Sequence, residues 1–248
     1  MNISALIKNK TFLSQNKKDD KNYLHASVDI LIGILYENRL QLYLLQIVKS
    51  ILATVGVSCG ILQIVSTKEE ISVTAIVENN SKQHIISKDG CNFNGIDFFL
   101  SDLYTAKAKM LFSSTLELTG IAVYVMKQLE QEGVVLYSGE EVEKISVHSL
   151  AIISYTIQNI FKTEIVKNTD FSIGINTLNL PDFSKKELVS IMHTQNNEEK
   201  RSIYQQILFY IAIIFVIVGK EKTYLSAADT ARKIMKNIDT NIYDKKYL

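Results

Sequence analysis

The stretch GVSCGILQIVSTKEEISVTAIV, residues 56–77, holds two apolar runs parted by Thr67-Lys68-Glu69-Glu70. Four polar residues between two such runs mark the tip of a hairpin. The second run alternates: Ile71, Val73, Ala75 and Val77 fall on one face, while Ser72, Thr74 and Glu78 fall mostly on the other. The first run is apolar on both faces, with Val57, Cys59, Ile61 and Val65 set against Leu62 and Ile64. That pattern belongs to a central strand. The rest of the chain is expected to add layers to this hairpin.

Upstream, residues 23–54 carry Val28, Leu31, Ile32, Leu35, Leu42, Leu45, Val48 and Leu52 at spacings of three and four. The spacing predicts helix, with Gly33 and Glu37-Asn38-Arg39 as a break point and Gly56 as the stop. A helix so apolar is packed on both sides, or lies between a sheet and a second chain. Residues 1–22, rich in Lys, Asn and Asp, read as a flexible arm without the pattern of a signal peptide.

Downstream, His84–Ser87 is expected as a short strand and residues 87–95 as loop. Ile96, Phe99, Leu100, Leu103 and Met110 predict a helix over 96–112, the expected wall of any pocket. Residues 116–129 predict an amphipathic helix with Leu118, Ile121, Val125 and Leu129 on one stripe, and 134–137 a strand. Strands follow at 148–157 and 162–167, favoured by β-branched content. Residues 171–180 fit helix or strand. Beyond Pro181, the capping box Ser184-Lys185-Lys186-Glu187 starts a helix that turns Leu188, Ile191 and Met192 inward.

The totals narrow the function classes. A chain of 248 residues with 47% apolar and 21% charged residues buries a sizeable core. Its net charge of +1 and three arginines (Arg39, Arg201, Arg232) argue against a nucleic-acid partner. Two cysteines give no disulfide framework and suit a reducing, cytoplasmic setting. Cys59 reads as a core residue and Cys91 as a loop residue. His25, His84, His148 and His193 are dispersed, with no metal-ligand spacing, so no metal is expected. Neither a phosphate-cradling glycine loop nor a nucleophile elbow occurs. Glu140, Glu141 and Glu143 fit a solvated turn better than a proton-transfer pair.

The segments QIVKSILATVGVSCGILQIVSTKEEISVTAIVEN (46–79), LELTGIAVYVMKQLEQEGVVLYSGE (116–140), HSLAIISYTI (148–157) and DFSKKELVSIM (182–192) together resemble the GAF domain family. The resemblance covers about residues 23–195. It lacks the family's glycine-rich turn after Gln158, the cyclic-nucleotide signature and a bilin-binding Cys-His pair. It implies an α+β fold: a six-stranded antiparallel sheet with helices on both faces and a C-terminal helical extension over 196–248. It also implies a regulatory or sensory module without catalysis, which binds a small molecule or partner protein and signals through a homodimer of terminal helices to a downstream protein. Tyr104, Tyr124 and Tyr155 are the expected ligand-facing residues, and no cofactor is expected. A tyrosine at the edge of a core is the ordinary alternative for each.

Ile203–Val218 is the most apolar run in the chain. It can be read as a core or dimer helix, as a short membrane span, or as a strand or interfacial helix. The other reading of function follows from it: an interaction or assembly protein whose pocket is lost, attached to a membrane through this run.

Overall fold

The computed structural model describes residues 27–34, 39–66, 71–77, 80–87, 98–99, 105–113, 115–137, 150–157, 160–172 and 198–237. In chain order the elements are β1 (Ser27–Ile34), α1 (Arg39–Thr54), β2 (Cys59–Ser66), β3 (Ile71–Val77), β4 (Asn80–Ser87), β5 (Thr105–Ser113), α2 (Leu116–Gln128), β6 (Glu132–Tyr137), β7 (Leu150–Ile157) and β8 (Ile160–Lys167). A 3-10 turn (Asn168–Phe171), α3 (Glu198–Ile217) and α4 (Tyr224–Asn237) complete the set. The chain is an α+β protein with one mixed sheet, ordered β4-β3-β2-β1-β5-β6-β7-β8. The expected hairpin forms, with Gly60 opposite Val77 and Ser66 opposite Ile71.

The sheet differs from the one the GAF resemblance implies. It has eight strands rather than six. Its four central strands, β2, β1, β5 and β6, are parallel, with antiparallel pairs only outside them. Parallel neighbours need a crossover, and α1 and α2 supply two. Two expected helices also turn out to be the central strands. SVDILIGI is β1, buried on both faces, so its apolar residues run on without alternating and fall by chance at helical spacing. Most of the described part of the expected 96–112 helix is β5, where Ala108 to Ser113 are buried in succession; Phe98 and Phe99 alone are helical among its described residues. The helix expected from Ser184 lies outside the described residues.

The same unit is built twice. β1-α1-β2-β3-β4 and β5-α2-β6-β7-β8 share element order, and the register agrees: Ile30 lies opposite Cys59 as Ala108 lies opposite Glu132. Both crossover helices end alike. Gly56 (φ 71°) and Glu130 (φ 52°) take the left-handed conformation. The Gly56 and Val57 amides donate to the Ala53 and Leu52 carbonyls, and those of Glu130 and Gln131 to Lys127 and Met126. Counting back from those caps, the buried Leu45, Val48, Ile51 and Leu52 of α1 match the buried Thr119, Ala122, Val125 and Met126 of α2. A pseudo-two-fold axis along the strands, between β1 and β5, relates the halves. Right-handed crossovers leading away in opposite directions place α1 and α2 on opposite faces.

On one face Ile30, Ile32, Ile34, Met110, Phe112, Val134 and Leu136 join a core with α1, α3 and α4. On the other, a Cβ at Gly133 would meet Met126 Sδ of α2 at 2.8 Å, and one at Gly33 the Phe98 ring at 2.6 Å. α3 fills the first core: Ile207, Ile211, Ile213 and Ile214 are fully buried. The window Lys200–Ile217 is long and apolar enough to cross a membrane, yet 67% of it is buried inside the chain. Of the readings open for Ile203–Val218, the packing matches the core helix. Aromatic rings extend the packing from Phe112 through Tyr210, Phe209 and Phe171 to Tyr224 of α4. Tyr224 donates to Glu164 of β8 at 2.9 Å. Arg232 donates to the Phe171 and Ser172 carbonyls.

Candidate binding crevice at the carboxyl ends of β1 and β5

After β1 the chain turns through α1 towards β2, and after β5 through α2 towards β6. Among the described residues the two connections diverge at the carboxyl ends of β1 and β5. Open parallel sheets bind ligands at such switch points. Ile34 and Phe112 form the last registered pair below the crevice.

On the α2 side, Ser113 ends β5. Its buried hydroxyl donates to the Thr115 carbonyl at 2.7 Å and accepts from the Thr115 amide at 3.1 Å, closing a tight turn into the helix. Thr115 is extended (φ −125°, ψ 139°) and makes no side-chain cap. The first amides of α2, which have no intrahelical acceptor, thus stand at the crevice. α1 begins at the same edge from the other face, and its first turn carries no acidic residue. Both helix dipoles present their positive ends here.

On the α3 side the wall is polar and buried. The Tyr210 ring meets the Phe112 ring edge-on at 5.2 Å. Gln206 Nε2 donates to Tyr210 Oη at 3.0 Å, while Gln206 Oε1, on a side chain 3% exposed, has no acceptor role filled. Ser202 and, in the first turn of α1, Gln41 are buried too. Lys220 Nζ donates to the Val55 carbonyl at 2.8 Å, so α3 and α1 finish at the same end and run in the same direction. The charged and polar first half of α3 therefore lies towards the carboxyl edge, and its aliphatic second half lies over the sheet. On the α2 face, Lys109 is 4% exposed. Its ammonium donates to the Phe99 and Phe98 carbonyls at 3.0 and 3.4 Å.

The amino edge of the same strands is closed. The Ser58 amide and hydroxyl donate to Asp29 Oδ2 at 2.9 and 2.7 Å, the Asp29 amide donates to Ser58 Oγ at 2.9 Å, and Lys107 pairs with Oδ1. Lys107 foremost, with the Ser58 bonds, holds the Asp29 carboxyl at about 2 against burial.

Of the expected ligand-facing tyrosines, Tyr124 and Tyr155 are not brought together. Tyr124 lies on the outer side of α2, half exposed. Tyr155 lies on β7 towards the α3 and α4 face, its hydroxyl raised by burial and then by Glu164. Tyr104 lies outside the described residues, as do Cys91, His25, His148 and His193. Cys59 is a core residue as expected, and burial pushes its thiol up to about 12, with Lys49 opposing. The crevice residues left a faint trace in the sequence: Gln205-Gln206 ends the polar first half of α3, just before its apolar run.

No family model and no curated protein matches the chain. Among solved structures it is similar to anthranilate phosphoribosyltransferase from Saccharomyces cerevisiae in complex with 4-fluoroanthranilate, at 13% identity and a TM-score of 0.44. The same enzyme in complex with PRPP and Mg gives 12% and 0.40, and without a named ligand 14% and 0.40. Each likeness covers 56% of this chain and 42% of the other, so the chain spans less than half of those proteins. Those neighbours are transferases, not sensory domains. The expectation of a non-catalytic sensory or signalling module gains no support from these neighbours, which are named as transferases, and it is not carried further. At such TM-scores the likeness carries no activity over to this chain.

Proposed function

We propose that the chain binds a small anionic molecule in the crevice at the carboxyl ends of β1 and β5. The switch of chain direction between these two strands carries the reading. It brings to one edge the positive ends of two helices and, on the α3 side, the buried hydrogen-bonding groups of Gln206 and Tyr210. Backbone amides at helix starts take phosphate or carboxylate without a dedicated charged side chain. The orphaned Gln206 oxygen favours a ligand that also carries a hydroxyl or amine donor, because an unmet buried acceptor costs about 1–3 kcal/mol.

Titration calorimetry with inorganic phosphate, sugar phosphates and nucleoside monophosphates tests it, wild type against Leu116→Pro. Proline is at home in the first helical position, and Thr115 is already extended as a residue before proline must be. The variant should fold while losing one crevice amide, so binding should weaken with little change in melting temperature. Equal binding by both proteins, or none by the wild type to any of the three classes, contradicts the proposal.

A further inference from the structure

Strand β8 ends the sheet, and its outer edge is built to pair. The Lys167 amide donates to Asp170 Oδ2 at 2.7 Å and so points away from β7. Peptide groups alternate along a strand, so those of Phe161, Thr163 and Ile165 point outward as well. No proline interrupts the strand; of its two lysines Lys167 stands at the very end, and Lys162 is paired with Glu164. Large exposed apolar side chains among the described residues gather around this strand. Ile160 and Ile165 are each 63% exposed and Phe161 46%. Phe161 lies under Lys127 of α2, whose outer side adds Tyr124, Ile121 and Leu116. Leu225 follows Tyr224, which bonds Glu164 of β8.

We propose that two copies of the chain join along β8, antiparallel, about a two-fold axis through Thr163. The choice of partner rests on charge. Outward peptide groups must meet outward ones, which leaves axes at residues 162 to 165 for registers that overlap more than half of the strand, and an axis at 165 would need the outward Lys167 amide that Asp170 already takes. An axis at 162 sets Lys162 against its own copy, and one at 164 does the same to Glu164. Like charges directly opposite oppose pairing. The axis at Thr163 alone sets Lys162 opposite Glu164 of the second copy and Glu164 opposite its Lys162. It also places Phe161 opposite Ile165 of the second copy on the α2 face, an aromatic–β-branched pair, and threonine opposite threonine. The contact is isologous and closes on itself, joining two sheets into one without leaving β8 exposed.

Sedimentation equilibrium of the full chain tests the proposal. The wild type should dimerise with concentration. Lys162→Glu, which opposes two carboxylates across the axis twice over, should raise the dissociation constant at least ten-fold at unchanged circular dichroism. Lys162→Glu combined with Glu164→Lys restores opposite charges at both pairs and should return the dimer. Wild type that stays monomeric throughout overturns the proposal. A dimer indifferent to Lys162→Glu, or lost equally in the single and the double variant, overturns it too.

Discussion

The two halves of this molecule repeat one βαβββ plan, yet they are buried differently. α1 is packed on two sides: Leu45, Val48, Ile51 and Leu52 lie buried, and so do Gln41, Leu44, Lys49 and Ser50 on its flanks, where α3 runs beside it. The equivalent helix α2 buries Thr119, Ala122, Val125 and Met126 and leaves Leu116, Ile121 and Tyr124 to solvent. The difference shows how one plan serves two ends. The half carrying α1 was closed into a core by the C-terminal helices, and the half carrying α2 kept an apolar flank and a free strand edge. The crevice lies where the halves meet, between the layer that is closed and the one that is open.

Substitutions at matched positions probe this asymmetry. Leu45→Ala removes a fully buried side chain from the core that α1 shares with the sheet and α3, and should cost about 2–5 kcal/mol in denaturant unfolding. Its counterpart Thr119→Ala should cost about 1 kcal/mol or less, because it loses mainly a hydroxyl bond to the Leu116 carbonyl. Equal losses would mean that α1 and α2 are packed alike. Next in size is Gly133→Ala, whose added methyl meets the Lys109 carbonyl oxygen at 2.4 Å and Met126 Sδ at 2.8 Å. It should destabilise by about 1–3 kcal/mol by pressing α2 off β6, which chemical denaturation would register.

Smaller effects test how the second half is tied to the tail. Tyr224→Phe keeps the ring against Phe171 and loses only the bond to Glu164, so about 1 kcal/mol is expected in unfolding free energy. The smallest effect concerns the amino edge that both halves share. Asp29 is held at about 2 in the folded chain, below its ordinary 3.8. A depressed carboxylate stabilises the fold above its unfolded value and loses that contribution as pH falls towards its folded value. Thermal melts between pH 5 and pH 2 should show wild type losing stability relative to Asp29→Asn as acid is added. Parallel curves would remove Asp29 from the clamp.

Elements that show a face to solvent or end in polar turns were legible in the sequence. The hairpin of β2 and β3, helix α2, and strands β6 to β8 stand close to where alternation, spacing and β-branched content put them. The two strands that decide the fold were hidden by their own burial. β1 and β5 are central and parallel, so neither alternates: Val28, Leu31 and Ile32 of β1 imitate a helical stripe, and Met110 of β5 extends one that begins before the strand. With both read as helix, the repeat disappeared and an antiparallel sheet looked sufficient. The crevice was hidden for the same reason, since it exists only where β1 and β5 lie side by side. Its side chains come from residues 113, 206 and 210, far apart in sequence, and its amides come from backbone that carries no residue signature.

Amide chemical shifts followed by nuclear magnetic resonance during titration with inorganic phosphate would test the crevice most directly. The account predicts saturable shifts at the first amides of α1 and of α2, from Leu116 to Leu118, with the Asp29–Ser58 amides at the opposite edge unmoved. Shifts confined to other surfaces, or equal and unsaturated across the chain, would contradict it.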